Sequence, residues 1–157
     1  MTDNKIESRV TPSGTLTCTL LDAEGNIKSR NTYHNTIVST GCALIASLLV
    51  ADKAYPIPSH MAIGTDSTTP STGDTSLKGE LDGARVKFDS MVREANNITY
   101  AATFEPGVGT GVLREAGIFN NEDPTSTDST MLNRVVFPII TKEASDTLII
   151  QWVVSIT

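Results

Sequence analysis

Apolar and polar residues alternate along much of this chain with the period of a pleated strand. Leu16, Cys18 and Leu20 alternate with Thr15, Thr17 and Thr19, which predicts a half-buried strand over 15–21. Asp22-Ala23-Glu24-Gly25-Asn26 supplies turn chemistry, and Ile27 to Tyr33 returns, so residues 15–33 read as a hairpin. After Asn35-Thr36-Ile37-Val38, Ser39 or Thr40 is placed to cap a helix through Ala43, Leu44, Leu48 and Leu49, ended by Pro56 and Pro58. This is the one convincing helix. Its apolar residues cover much of its circumference, so it is expected to pack against the sheets.

Met61 to Thr65 reads as a short buried strand, and Asp66 to Ser76 as a long surface loop. A helical turn is expected over Leu77–Leu81 and a strand of weaker alternation over Val86–Val92. Ile98, Tyr100, Ala102 and Phe104 share one face of the next strand. The glycine-rich stretch 105–111 then reads as a hairpin or bulge turn before a strand over Leu113–Phe119. Asn120 to Thr130 is polar and turn-rich. Met131 to Ile139 is a strand in which Pro138 marks an edge or a bulge.

In the last run, Leu148, Ile150, Trp152, Val154 and Ile156 face the core. Thr147, Gln151 and Ser155 face out, but Ile149 and Val153 share their face. Two large apolar residues on an outward face point to cover from a neighbouring chain or segment, so they are the candidate interface residues. About eight strands and one helix predict an all-β fold: a two-sheet sandwich, jelly-roll-like, with one short helix. Residues 1–13 are read as a flexible or docking N-terminal arm and 14–157 as a single β-sandwich domain.

Composition narrows the function. The chain has 157 residues and a net charge of −6, with Lys and Arg scattered singly, so it lacks the basic stripe that nucleic-acid binding requires. The polar N-terminus has no secretory apolar core. The longest apolar stretch, Ala43 to Ala51, is far short of the roughly 20 residues that span a bilayer, so no membrane partner is expected. Cys18 and Cys42 are expected to be small core residues of a protein made in a reducing compartment.

Candidate chemistry is sparse. His34 and His60 have no second ligand at zinc spacing. Gly107-Val108-Gly109-Thr110-Gly111 lacks the phosphate-loop pattern and precedes a strand. Asp66, Asp74 and Asp82 do not have the spacing of a calcium loop. No nucleophile–base arrangement stands out, and Glu122-Asp123 lies in a polar loop. The expectation is no catalytic residue, no cofactor, no metal and no enzymatic activity. Arg85, Glu115 and Arg134 are the charged residues to follow, because Glu115 and Arg134 lie inside apolar strand patterns. A carboxylate there needs a partner, so Glu115 is expected to pair with Arg85 or Arg134, within the fold or across a subunit contact; the alternative is that each faces water.

The ordered series of motifs carries a resemblance. It runs from the hairpin at Leu21-Asp22-Ala23-Glu24-Gly25 through His34-Asn35-Thr36-Ile37-Val38-Ser39-Thr40-Gly41 and Met61-Ala62-Ile63-Gly64-Thr65. Asp74-Thr75-Ser76-Leu77 through Glu80-Leu81 to Arg85, Tyr100-Ala101-Ala102-Thr103-Phe104, Glu115-Ala116-Gly117-Ile118-Phe119-Asn120, Met131-Leu132-Asn133-Arg134-Val135-Val136-Phe137, Lys142 and Asp146 to Trp152 complete it. From about Gly14 to the C-terminus this resembles a family of small β-rich structural proteins of tailed bacteriophages. The resemblance implies a structural role in the virion and carries no catalytic residues. The expected partners are further copies of the chain, as a trimer or higher homo-oligomer, and other virion proteins, after synthesis in the host bacterial cytoplasm. A tail, collar or fibre position leads; capsid decoration and a receptor- or glycan-binding module are the alternatives.

Overall fold

In a computed structural model, which describes residues 9–157, the threonine alternation becomes a two-faced ribbon. Leu16, Cys18 and Leu20 enter the core while Thr17 Oγ1 shares a 3.0 Å hydrogen bond with Thr32 on the opposite face. The elements in chain order are β1 (Pro12–Leu21), β2 (Ile27–His34), β3 (Thr36–Ile37), α1 (Ser39–Leu49), β4 (His60–Gly64) and β5 (Glu80–Lys87). They continue with β6 (Ser90–Glu94), β7 (Asn97–Phe104), β8 (Gly111–Phe119), β9 (Met131–Lys142) and β10 (Thr147–Ile156).

Two five-stranded sheets face each other, in orders β2-β1-β10-β7-β6 and β3-β9-β8-β4-β5, with every pairing antiparallel. The fold is a two-sheet β-sandwich with one short helix. Its core is aliphatic for the most part, with Trp152, Phe104 and Tyr100 as its large pieces.

The chain changes sheet at tight corners. At the corner between β2 and β3, Asn35 accepts a 2.9 Å hydrogen bond from Trp152 Nε1, the one polar atom of the largest core side chain. Gly14 makes room for this contact, since a Cβ there would lie 1.7 Å from Asn35 Oδ1. The corner at Phe88–Asp89 sends β5 and β6 into different sheets. The expected single strand over Val86–Val92 is therefore two strands. The glycine stretch, with Gly107, Gly109 and Gly111 all at positive φ, is an arch from β7 in one sheet to β8 in the other, not a hairpin turn. Pro138 lies where β9 bulges, because the pairing with β8 jumps from Leu113↔Ile140 to Glu115↔Val136.

Several expectations are corrected. Leu77–Leu81 is not a helical turn; Glu80 and Leu81 already belong to β5, paired with β4. Pro12 and Ser13, expected in the arm, pair with Ile156 and Ser155, so the sheet begins before residue 14. The rest of the expected arm, residues 1–8, lies outside the described residues. Neither Ser39 nor Thr40 caps α1: the N-cap is Val38, extended at φ −87°, and Thr40 Oγ1 donates to the Met131 carbonyl. The helix stops at Leu49, followed by Ala51 at φ +51°, well before Pro56.

Helix α1 also packs on a narrower stripe than its composition suggests. Gly41, Leu44 and Ser47 are its buried residues. Gly41 brings the helix backbone against the β9 backbone, where a Cβ would lie 1.9 Å from the Leu132 carbonyl oxygen. Cys42 falls outside this stripe and is exposed, whereas Cys18 is a core residue whose thiol is pushed up to about 12 by burial.

Candidate functional site

Three of the buried charged side chains, Arg134, Glu115 and Asp74, gather in one cluster around the arginine. Arg134 on β9 and Glu115 on β8 are both fully buried, and the arginine Nε donates to Glu115 Oε2 at 2.8 Å. The other guanidinium nitrogens reach out of the sheet. Nη1 donates to the Thr68 carbonyl and to Asp74 Oδ2, both at 3.0 Å, and Nη2 to Asp66 Oδ1 at 3.3 Å. Glu115 works in the same direction. It accepts from the Gly79 amide at 2.6 Å and from the Lys78 amide at 3.1 Å. The pair thus ties the long loop between β4 and β5 to the sheet at both of its ends. Gly64 leaves the space, because a Cβ there would lie 2.5 Å from Glu115 Oε1 and from the Gly79 carbonyl oxygen.

Asp66 and Asp74 therefore hold a guanidinium, while Asp82 lies exposed on β5. Burial raises the Asp74 carboxyl, but bonds from the Ser71 amide, Lys78 and Arg134 outweigh it and hold the group below its ordinary value of 3.8. The hydroxyl and amide of Thr68 lower Asp66 as well, with Arg134 adding to them.

Arg85 serves the second long loop. It does not reach Glu115; it forms a two-pronged pair with Glu80, at 2.8 and 2.7 Å. Its Nη1 donates to the Asn121 carbonyl and to Ser129 Oγ, and its guanidinium lies 3.7 Å from the centre of the Phe119 ring. The loop from 120 to 130 is thereby fastened beside β5. At the other end of the molecule, Lys28 and Asp146 pair at 2.7 Å and lock β2 to the corner that precedes β10. No group of three or more His, Cys, Asp or Glu placed to hold a metal occurs among the described residues. His60 shares a 2.7 Å hydrogen bond with Ser59, and burial lowers its pKa.

Ile149 and Val153 are half-buried on the outer face of the first sheet. Ile149 is flanked by Thr19 and Thr103, and Val153 by Thr15 and Thr99, so threonine side chains shelter part of each. The larger apolar surface is elsewhere. A cleft of about 350 Å³ opens between the end of α1 and the inner side of β6, β7 and β10, lined by Leu44, Leu48, Ile57, Met91, Tyr100 and Ile156 among others. On its rim Leu49 is 85% exposed, Ile57 54% and Met91 46%, and Val92 is 51% exposed on the same strand as Met91. This exceeds the scattered single apolar residues of an ordinary surface.

No protein-family model matches the chain, and no curated protein or solved structure matches it.

Sequence reasoning missed this apolar rim. The adjacent pair Leu48-Leu49 was the available signal, since a helix lying on one sheet edge cannot bury both neighbours along with Leu44. No helix of the described residues is long and apolar enough to cross a membrane.

Proposed function

We propose that this chain is a structural subunit of a tailed-phage virion, placed in the tail, collar or fibre region and held by protein–protein interfaces between copies and with other virion proteins. One observation supports this reading above the others: its ion pairs are used for fastening. Arg134 with Glu115, Arg85 with Glu80, and Lys28 with Asp146 tie the long loops and a sheet corner to the sandwich. What remains available to partners is a set of firm sheet faces, strand edges and an apolar rim, which suits a repeated assembly unit. The resemblance of its motif order to small phage structural proteins points the same way. Capsid decoration uses the same properties and differs in copy number.

A specific feature favours a second reading, a glycan-binding module. Tyr55, Thr75, Thr127, Asp128 and Ser129 line a cleft of about 450 Å³ between the two long loops and α1, a mixture of hydroxyls, a carboxylate and an aromatic ring.

The test is quantitative mass spectrometry of purified phage particles from the host that encodes the chain. A few to a few dozen copies per particle are expected. Copies in the hundreds would move the assignment to decoration, and absence from the particle would overturn the virion role.

A further inference from the structure

Strand β6 ends its sheet, and two separate observations meet on it. The first is an open edge. Ser90–Glu94 pairs with β7 alone, and all five residues are exposed. Among the described residues no backbone group of this strand is bonded to any other element. An edge of this kind is a template for another strand. The second is the apolar rim just described, which begins at Met91 on the inner side of β6 and continues through Ile57 to Leu48 and Leu49.

We infer that β6 is a self-association edge, at which a second copy of this chain adds its own β6 antiparallel across a two-fold axis through Val92. This rests on the assembly reading above and specifies one of its interfaces. The occupant follows from register and charge. A two-fold axis normal to the sheet keeps inner residues beside inner residues, so a residue must pair with one of the same parity in number. Centring on Val92 overlaps all five residues. It sets Ser90 opposite Glu94, Met91 opposite Arg93 and Val92 opposite Val92, so no like charges meet. Centring on Arg93 or on Glu94 places two identical charges face to face, which is destabilising.

In the Val92-centred register the two Val92 side chains cover each other on the outer face. On the inner face Met91 of each copy lies against the aliphatic part of the other's Arg93, and the two apolar clefts become continuous. The opposite edge of the sheet is less suited. Strand β2 carries two exposed cations, Lys28 and Arg30, with no acid on the strand to face them in a second copy, and it does not line this cleft.

The experiment uses the full chain with Cys42→Ser, since Cys42 is the exposed thiol. In an antiparallel ladder, directly opposed Cα atoms lie about 4.5–5.5 Å apart, within disulfide reach. Val92→Cys is therefore expected to form a disulfide-linked dimer under mild oxidation, while Thr32→Cys on the β2 edge serves as the collision control. Val92→Lys sets two ammonium groups against each other and is expected to weaken the association roughly tenfold or more by sedimentation velocity. The circular dichroism spectrum should be unchanged, because the position is exposed. If Val92→Cys couples no faster than Thr32→Cys, or if folded Val92→Lys keeps the parent's mass, the β6 contact is overturned. A parent oligomer unaffected by Val92→Lys would overturn this contact alone and leave the virion assignment to the particle test.

Discussion

Arg134 lies diagonally across the β8–β9 ladder from Glu115, opposite Gly117 and two residues before the Val136 that faces the glutamate, and its Nε reaches Oε2 at 2.8 Å. Because neither side chain meets water, the pair is held by its hydrogen bonds and by the loop that it anchors. Removing one partner leaves the other charge buried. Glu115→Ala is expected to cost about 3–5 kcal/mol in chemical denaturation. The same variant frees the amides of Lys78 and Gly79, so limited proteolysis should cut within 65–79 before the rest of the chain. Unchanged stability with an uncut loop would contradict the anchoring role.

Gly41 offers a test in which the sign decides. On an exposed helix face, Gly→Ala stabilises by roughly 1 kcal/mol through helix propensity. Here the added methyl would meet the Leu132 carbonyl oxygen at 1.9 Å, a backbone atom that cannot swing aside. Gly41→Ala is expected to destabilise by about 1–3 kcal/mol, read from the denaturation midpoint. A gain in stability would mean that α1 does not rest on β9 this closely.

Acid should loosen the fold through its lowered aspartates, of which Asp66, Asp74 and Asp146 form the ion pairs described above. Asp146 is lowered first by its hydrogen bond from Lys28 and then by the Glu143 amide, and Asp66 and Asp74 are lowered by the bonds described above. A group with a depressed folded pKa contributes stability that is present above its unfolded value and is lost as the pH falls through the folded one. Stability is therefore expected to decline from near the ordinary carboxylate value of 3.8 downward. In Asp146→Asn the neutral-pH stability should be lower and the acid-side decline shallower, as followed by denaturation midpoints across the pH range.

The two cysteines should separate cleanly by reactivity. Thiolate is the reactive form, and burial pushes Cys18 up to about 12 while Cys42 stands on the outside of α1. Mass spectrometry after brief alkylation of the folded protein is expected to find one modified cysteine, Cys42, with Cys18 modified only after denaturant is added. Equal labelling of both would contradict the placement of β1 in the core.

The parts of the fold that were legible in the sequence are those governed by local period. The alternation of β1, β7 and β10 gives their core faces residue by residue, and Pro138 marks the β9 bulge. The illegible parts depend on distant partners. At Phe88–Asp89 the chain changes sheet without a glycine or proline to announce it, so 86–92 reads as one strand. Helix α1 looks apolar around much of its circumference, but only Gly41, Leu44 and Ser47 are buried, with Thr40 and Ile45 partly covered beside them, and this leaves Cys42 and Leu49 outside. Glu115 and Arg134 stand out as charges within apolar strands. Choosing Arg134 over Arg85 required the strand register, because Arg85 lies opposite Ala62 on β5 and turns to Glu80.

The central claim, a subunit that assembles with copies of itself through sheet edges and apolar rims, is tested most directly by the mass of the purified protein in solution. Light scattering over a range of concentrations is expected to find a discrete oligomer, an integral multiple of the 16.7 kDa chain. A mass of one chain at every concentration would contradict self-assembly.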